Sequence, residues 1–70
     1  MNTFTLKTEF IALNQLLKAI GWAETGGHAH ELIDAGVVTV NGVVETQRRK
    51  KIRTAMVVEC EGNIVTIVNG

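Results

Sequence analysis

The chain has 70 residues, with seven Lys and Arg against seven Asp and Glu, so its formal net charge is zero. That length allows one domain at most, and a single core of this size supplies only roughly 3–5 kcal/mol, so most apolar residues must be buried. The apolar share is 46%, chiefly Val, Ile, Leu and Ala, with Phe4, Phe10 and Trp22 as the aromatics, which favours an aliphatic core of helices against a small sheet. Cys60 is the single cysteine, which excludes an intramolecular disulfide framework. The start of the chain lacks the charged and apolar regions of a signal peptide. No apolar run approaches the ~20 residues that span a bilayer. The expectation is a cytoplasmic domain with no membrane contact.

In chain order, residues 3–6 alternate and predict a short strand. Thr8 offers a hydroxyl N-cap with Glu9 in the first turn. Phe10, Leu13, Leu17 and Ile20, with Leu16 beside them, recur at helical spacing as one apolar stripe. Gly21 ends that helix. Thr25 is the next N-cap, and a second helix runs to about Ala35 with Ala29, Leu32 and Ile33 on one face and Gly36 as its stop. Trp22 lies in the connection and is expected to fill the angle between the helices.

After Gly36 the period becomes that of strands. Residues 37–40 are followed by the turn signal Asn41-Gly42 and by Val43-Val44. A two-residue turn would put Glu45 on the same face as Val38, Val40 and Val43, so a bulge or a longer loop is expected. Residues 56–60 and 64–68 form a second hairpin around Gly62-Asn63. A two-residue turn there pairs Cys60 with Val65 and Val58 with Ile67, on one shared face, with Glu59 and Thr66 on the other.

The charge is not evenly spread. Arg48, Arg49, Lys50, Lys51 and Arg53 fall within six positions and hold five of the seven cationic side chains. One reading is a solvated loop or edge strand whose cations prevent strand-to-strand aggregation. The other is a site for an anionic partner, most commonly a phosphate backbone.

The segment from Thr25 to Gly42, T-G-G-H-A-H-E-L-I-D-A-G-V-V-T-V-N-G, resembles the S4-type RNA-binding domain, also called the αL motif. The matching positions are the cap Thr25, then Ala29, Leu32-Ile33, Gly36, Val38, Val40, Asn41 and Gly42. Leu13, Leu16 and Gly21 fit that family's first helix, and residues 52–60 fit the segment that closes the motif. Gly21-Trp22, Thr25-Gly26 and Val44-Glu45-Thr46 before the basic run are similar to the small stand-alone, YbcJ-like bacterial members. The resemblance implies an α+β fold, two packed helices on a small, mostly antiparallel sheet, and RNA binding without catalysis. Two departures stand out. The pattern usually carries Arg directly after the capping residue and another Arg later in the helix, where this chain has Gly26 and His30. The usual Gly-Asp near the motif's end is Ala55-Met56. The phosphate contacts normally borne by the helix therefore shift, in expectation, to residues 48–53.

Secondary candidates follow. Thr25, Gly26 and Gly27 form either a plain capped helix start or a set of backbone donors for a phosphate, and both can hold together. His28 and His30 are two apart on a helix and so point in different directions, which makes a shared metal improbable. They read first as exposed polar residues, His30 able to pair with Asp34, and second as phosphate contacts. Lys18 could extend the basic surface. Cys60 reads as a small core residue. No nucleotide-binding loop, zinc-protease motif or dinucleotide fingerprint is present, so no cofactor, metal or small-molecule substrate is expected. With all three aromatics available for structural roles, a reader of splayed single strands is disfavoured. The expected partner is structured RNA, ribosomal or transfer RNA being the obvious types. Five phosphate contacts at a single-strand slope of roughly −0.7 each predict about a hundredfold loss of affinity between about 50 and 200 mM salt. A protein–protein adaptor, a binding subunit of a larger nucleic-acid enzyme and a DNA-binding domain are the rival readings.

Overall fold

The computed structural model describes residues 2–70. The elements are β1 (Asn2–Leu6), β2 (Ile11–Ala12), α1 (Leu13–Ala19), α2 (Gly26–Asp34), β3 (Val38–Val40), β4 (Val43–Val44), β5 (Lys51–Ile52), β6 (Val57–Cys60) and β7 (Asn63–Asn69). Five strands form one sheet in the order β1-β7-β6-β3-β4. The pairs within it are antiparallel except β1 with β7, which is parallel. β2 and β5 make a separate two-stranded antiparallel sheet. Two helices on a mostly antiparallel sheet is the architecture the αL resemblance implied.

The core lies between the helical pair and one face of the large sheet. Leu13, Leu16 and Leu17 of α1 and Ala29, Leu32 and Ile33 of α2 meet Val38, Val40, Val58, Cys60, Val65 and Ile67. Period-two alternation delivers the strand residues to that face while Glu59 and Ile64 point away from it. Each fully buried Leu, Ile or Val contributes roughly 1.5–3 kcal/mol, and among the described residues no polar or charged one is buried with them. Trp22 packs against this cluster, and its N–H and that of Ala23 both donate to the Leu17 carbonyl. The short connection therefore folds back onto α1.

Three expectations are corrected. First, α1 does not begin at Thr8 and Glu9. Residues 11–12 are drawn into β2, where Ile11 pairs with Ile52 and Ala12 with Lys51. Thr8 instead donates its hydroxyl to the Phe10 carbonyl at 2.9 Å. Ala12 is the N-cap and supplies no side-chain cap. The first-turn donors are satisfied from elsewhere: Leu13 N–H by Lys50 O at 2.9 Å and Asn14 N–H by Arg48 O at 3.0 Å. Two such bonds, each about 0.5–1.5 kcal/mol net, together with the strand pairing outweigh one hydroxyl cap. Phe10 leaves the helical stripe and is 38% exposed.

Second, Asn41-Gly42 is a plain two-residue turn, with Val40 opposite Val43 and Thr39 opposite Val44. A bulge is needed only where the face carrying Glu45 is fully buried, and at β4 it is not. β4 is an edge strand, Val43 is 69% exposed, and Glu45 is only half-buried there, its carboxylate accepting the Gln47 N–H. Third, the β6–β7 turn is Glu61-Gly62, so Cys60 pairs with Asn63 and Val58 with Val65. The register differs from the expected one by two residues. An even shift leaves every side chain on its face, so the buried set is unchanged. Both hairpin turns share one geometry: φ is 52° and 83° at Asn41-Gly42 and 50° and 84° at Glu61-Gly62. Positive φ at both positions is the primed hairpin turn, and it wants Gly second. That requirement puts Asn63 in the strand.

Candidate nucleic-acid interface

The basic segment is held by its backbone and displayed by its side chains. Its carbonyls at Arg48 and Lys50 cap α1. Its end is pinned by Ile52, fully buried, within the β2–β5 pair. Upstream, the Gln47 N–H donates to the Glu45 carboxylate at 3.0 Å, and the Lys50 N–H to the Gln47 carbonyl. Arg48, Arg49, Lys51 and Arg53 are exposed and Lys50 is half-buried. A segment fixed at both ends loses little further backbone freedom on meeting a ligand.

The five cations do not form one cluster. Arg48 turns toward α2 and grips Asp34 with both ends of its fork, Nη2 to Oδ2 at 2.6 Å and Nε to Oδ1 at 3.3 Å. The bond from Arg48 holds the Asp34 carboxyl below its ordinary range and raises the guanidinium correspondingly. Asp34 thus pairs with Arg48 rather than with His30. His30 Nε2 instead accepts from the Asn14 amide at 3.2 Å, linking the two helices. The Asn14 oxygen is already taken by the Gln15 N–H, which orients the amide and leaves its nitrogen facing the ring.

Lys51 and Arg53 turn the other way. Flanking the buried Ile52, Lys51 of β5 and Arg53 just past its end lie on one side of the backbone. Lys51 Nζ lies 5.0 Å and the Arg53 guanidinium carbon 5.5 Å from the Phe10 ring centroid, within cation–π range. Arg49 lines a groove that also includes Lys7, Phe10 and Gln15. Among the described residues, none of Arg49, Lys50, Lys51 and Arg53 is in an ion pair.

The remaining candidates lie elsewhere on the helical pair. Thr25 caps α2 as expected, its hydroxyl accepting the His28 N–H at 3.0 Å. His28 Nδ1 accepts from the Glu24 N–H at 3.2 Å. Gly26 and Gly27 follow the cap, in the turn whose N–H groups lack intrahelical acceptors, and a Cβ at Gly26 would meet open space. This end of α2 is the one remote from Asp34 and the basic segment. Helical spacing puts Gly27, His30 and Asp34 on one stripe of α2, and Asn14 and Lys18 on one stripe of α1. The Asn14–His30 bond brings those stripes together. Lys18, Gly27, His30 and Arg48 therefore share a face of the helical pair, whereas His28 points away from it.

Sequence reasoning missed Asp34 as the counter-ion of Arg48, Asn14 as the bridge to His30, and Lys7 and Phe10 as neighbours of the basic segment. The alternation of Lys51 and Arg53 around Ile52 was a usable sign that two cations share a strand face. The Asp34 pairing left no local trace. Cys60 is buried and its thiol pushed upward by burial, with a smaller push from Glu61, in keeping with a core residue. Among the described residues no group of His, Cys, Asp and Glu assembles a metal site, and no helix is long and apolar enough to cross a membrane.

A family model described as "S4 domain" matches residues 4–68. Over 69 residues the chain is 42% identical to "Putative RNA-binding protein YbcJ" of Escherichia coli (strain K12), covering 97% of this chain and 99% of that protein. The same identity and coverage hold for "Uncharacterized protein YbcJ" of Shigella flexneri. The solution structure of YbcJ from E. coli, described as revealing an αL motif involved in RNA binding, matches with a TM-score of 0.75 over 97% of this chain and 87% of that one.

Proposed function

This chain belongs to the S4 domain family, and we propose from that premise that it is a non-catalytic, cytoplasmic, single-domain RNA-binding protein that contacts the phosphates of structured RNA through residues 48–53. The observation that carries this reading is the backbone-anchored basic segment, whose Arg49, Lys51 and Arg53 side chains are exposed and outside any ion pair with a described residue. The relative from E. coli bears an RNA-binding description, and the family resemblance supplies the class of partner.

The residues rank by geometry. Arg49, Lys50, Lys51 and Arg53 supply the main phosphate contacts, and Arg48 adds one when it leaves Asp34. His30 and Lys18 extend the surface over the helical pair. Thr25, Gly26 and Gly27, with His28 beside them, offer a subordinate set of donors at the far end of α2. Phosphate contacts position a protein without reading bases, so discrimination among RNA sequences is modest. No cofactor, metal or small-molecule substrate takes part.

The test is competition among ribosomal RNA, transfer RNA and duplex DNA at one salt concentration, with the double substitution Arg49→Ala and Lys51→Ala. Structured RNA outcompetes duplex DNA, and the variant weakens binding to all RNAs alike while keeping the wild-type circular dichroism spectrum. Preference for duplex DNA, or a partner protein that copurifies after nuclease treatment and is lost from the variant, overturns the reading.

A further inference from the structure

A groove of about 390 Å³ runs between β1, the turn that follows it and the start of α1, a volume within the range of small-ligand sites. Phe4 and Phe10 line it together with Lys7, Gln15 and Arg49, and no carboxylate does. Phe10 is a large ring left 38% exposed in a chain that has only two Phe and one Trp. Lys51 and Arg53 approach that ring from β5, and neither lines the groove. Phe10 is thus shared between the groove lining and the two cations. An aromatic wall, two cations and one amide is a combination that suits a nucleotide. The base has a π-face for Phe10, its edge offers donors and acceptors to the Gln15 amide, and its phosphates suit Lys7 and Arg49.

We propose that this groove is a subsite for one unpaired nucleotide of the bound RNA, its base stacked on Phe10 and its flanking phosphates held by Lys7 and Arg49. The proposal rests on the RNA-binding reading and narrows it. The preferred partner is a structured RNA with an unpaired base beside the helix that the basic segment grips, rather than an uninterrupted stem.

The test uses the full chain and three labelled RNA hairpins: one with a single unpaired nucleotide in its stem, one with an abasic residue at that place, and one with a continuous stem. The wild type binds the first about tenfold more tightly than the other two, within what base–aromatic stacking carries. Phe10→Leu, which keeps an apolar side chain and removes the π-face, abolishes that preference, so that the ratio of affinities for the first and second hairpins falls from about ten to about one. Equal wild-type affinity for the first two hairpins overturns the proposal and needs no variant to be read. A free nucleoside monophosphate that competes as strongly as the first hairpin also overturns it. If all three hairpins bind alike with a steep salt dependence, only the subsite falls; if none binds with salt dependence, the phosphate reading falls with it.

Discussion

The ion pair between Arg48 and Asp34 makes a quantitative demand on RNA binding. Both side chains are half exposed, 50% and 51%, so the pair sits where a phosphate would approach. An incoming phosphate must either displace Asp34 from the Arg48 fork or accept a carboxylate beside it. Asp34→Asn keeps the shape, removes the negative charge and takes the net charge from zero to +1. Arg48 then becomes available as one further phosphate contact. One contact steepens the dependence of log affinity on log salt by about 0.7 on the single-strand value. A fourfold change in salt raised to the power 0.7 is about 2.6. The affinity gained by Asp34→Asn should therefore shrink by roughly 2.6-fold between about 50 and 200 mM salt. Fluorescence anisotropy with a labelled structured RNA across that range measures it. Adding Arg48→Ala isolates the pairwise effect: the gain vanishes if Arg48 carries it. An unchanged slope, or a gain that survives loss of Arg48, would refute the reasoning.

Three further outcomes follow from the same geometry. Arg48 depresses the Asp34 carboxyl below its ordinary 3.8, so the pair's contribution to stability is present above that pH and is lost as pH falls through the folded-state value; thermal melts of wild type and Asp34→Asn should differ at neutral pH and converge in acid. Ala55 stands at φ 75°, a conformation that costs a non-glycine residue about 1–2 kcal/mol. Ala55→Gly relieves that strain and returns part of it as unfolded-chain entropy, for a net gain of about 0.5–1 kcal/mol, read as a higher urea midpoint at unchanged slope. Thr25→Ala removes the hydroxyl that accepts the His28 N–H and should cost about 1 kcal/mol of stability, while RNA affinity, measured well below the melting point, changes far less than with Arg49→Ala.

Features set by local chemistry are legible in the sequence. Thr25 and Gly36 bound α2 because cap and stop are short-range devices, and its Ala29, Leu32 and Ile33 face follows from helical spacing. The buried faces of β6 and β7 follow from period two, which tolerates the displaced turn because the displacement is an even number of residues. What is not legible depends on distant partners. The start of α1 escapes local reading because Leu13 and Asn14 are capped by carbonyls more than thirty residues away. The parallel pairing of β1 with β7 joins the two ends of the chain, and nothing in either strand announces it. At the interface the basic residues are evident in the sequence and their division is not. Arg48 is committed to Asp34, fourteen residues off, whereas Lys51 and Arg53 share Phe10, which helical spacing alone assigns to the core. The position of Phe10 beside Lys51 and Arg53 goes with the β2–β5 pairing, a contact of two residues per strand that is too short to give a pattern.

The most direct measurement of the central claim is the salt dependence of structured-RNA affinity for the unmodified chain. With Arg48 held by Asp34, the four cations Arg49, Lys50, Lys51 and Arg53 remain to meet phosphates. At about −0.7 per contact the slope is about −2.8, a roughly fiftyfold loss of affinity between about 50 and 200 mM salt. Charge-removing substitutions at Arg49, Lys50, Lys51 or Arg53 should flatten that slope by about one contact each. A flat salt dependence, or a steep one untouched by those substitutions, would contradict the basic segment as the phosphate-binding surface.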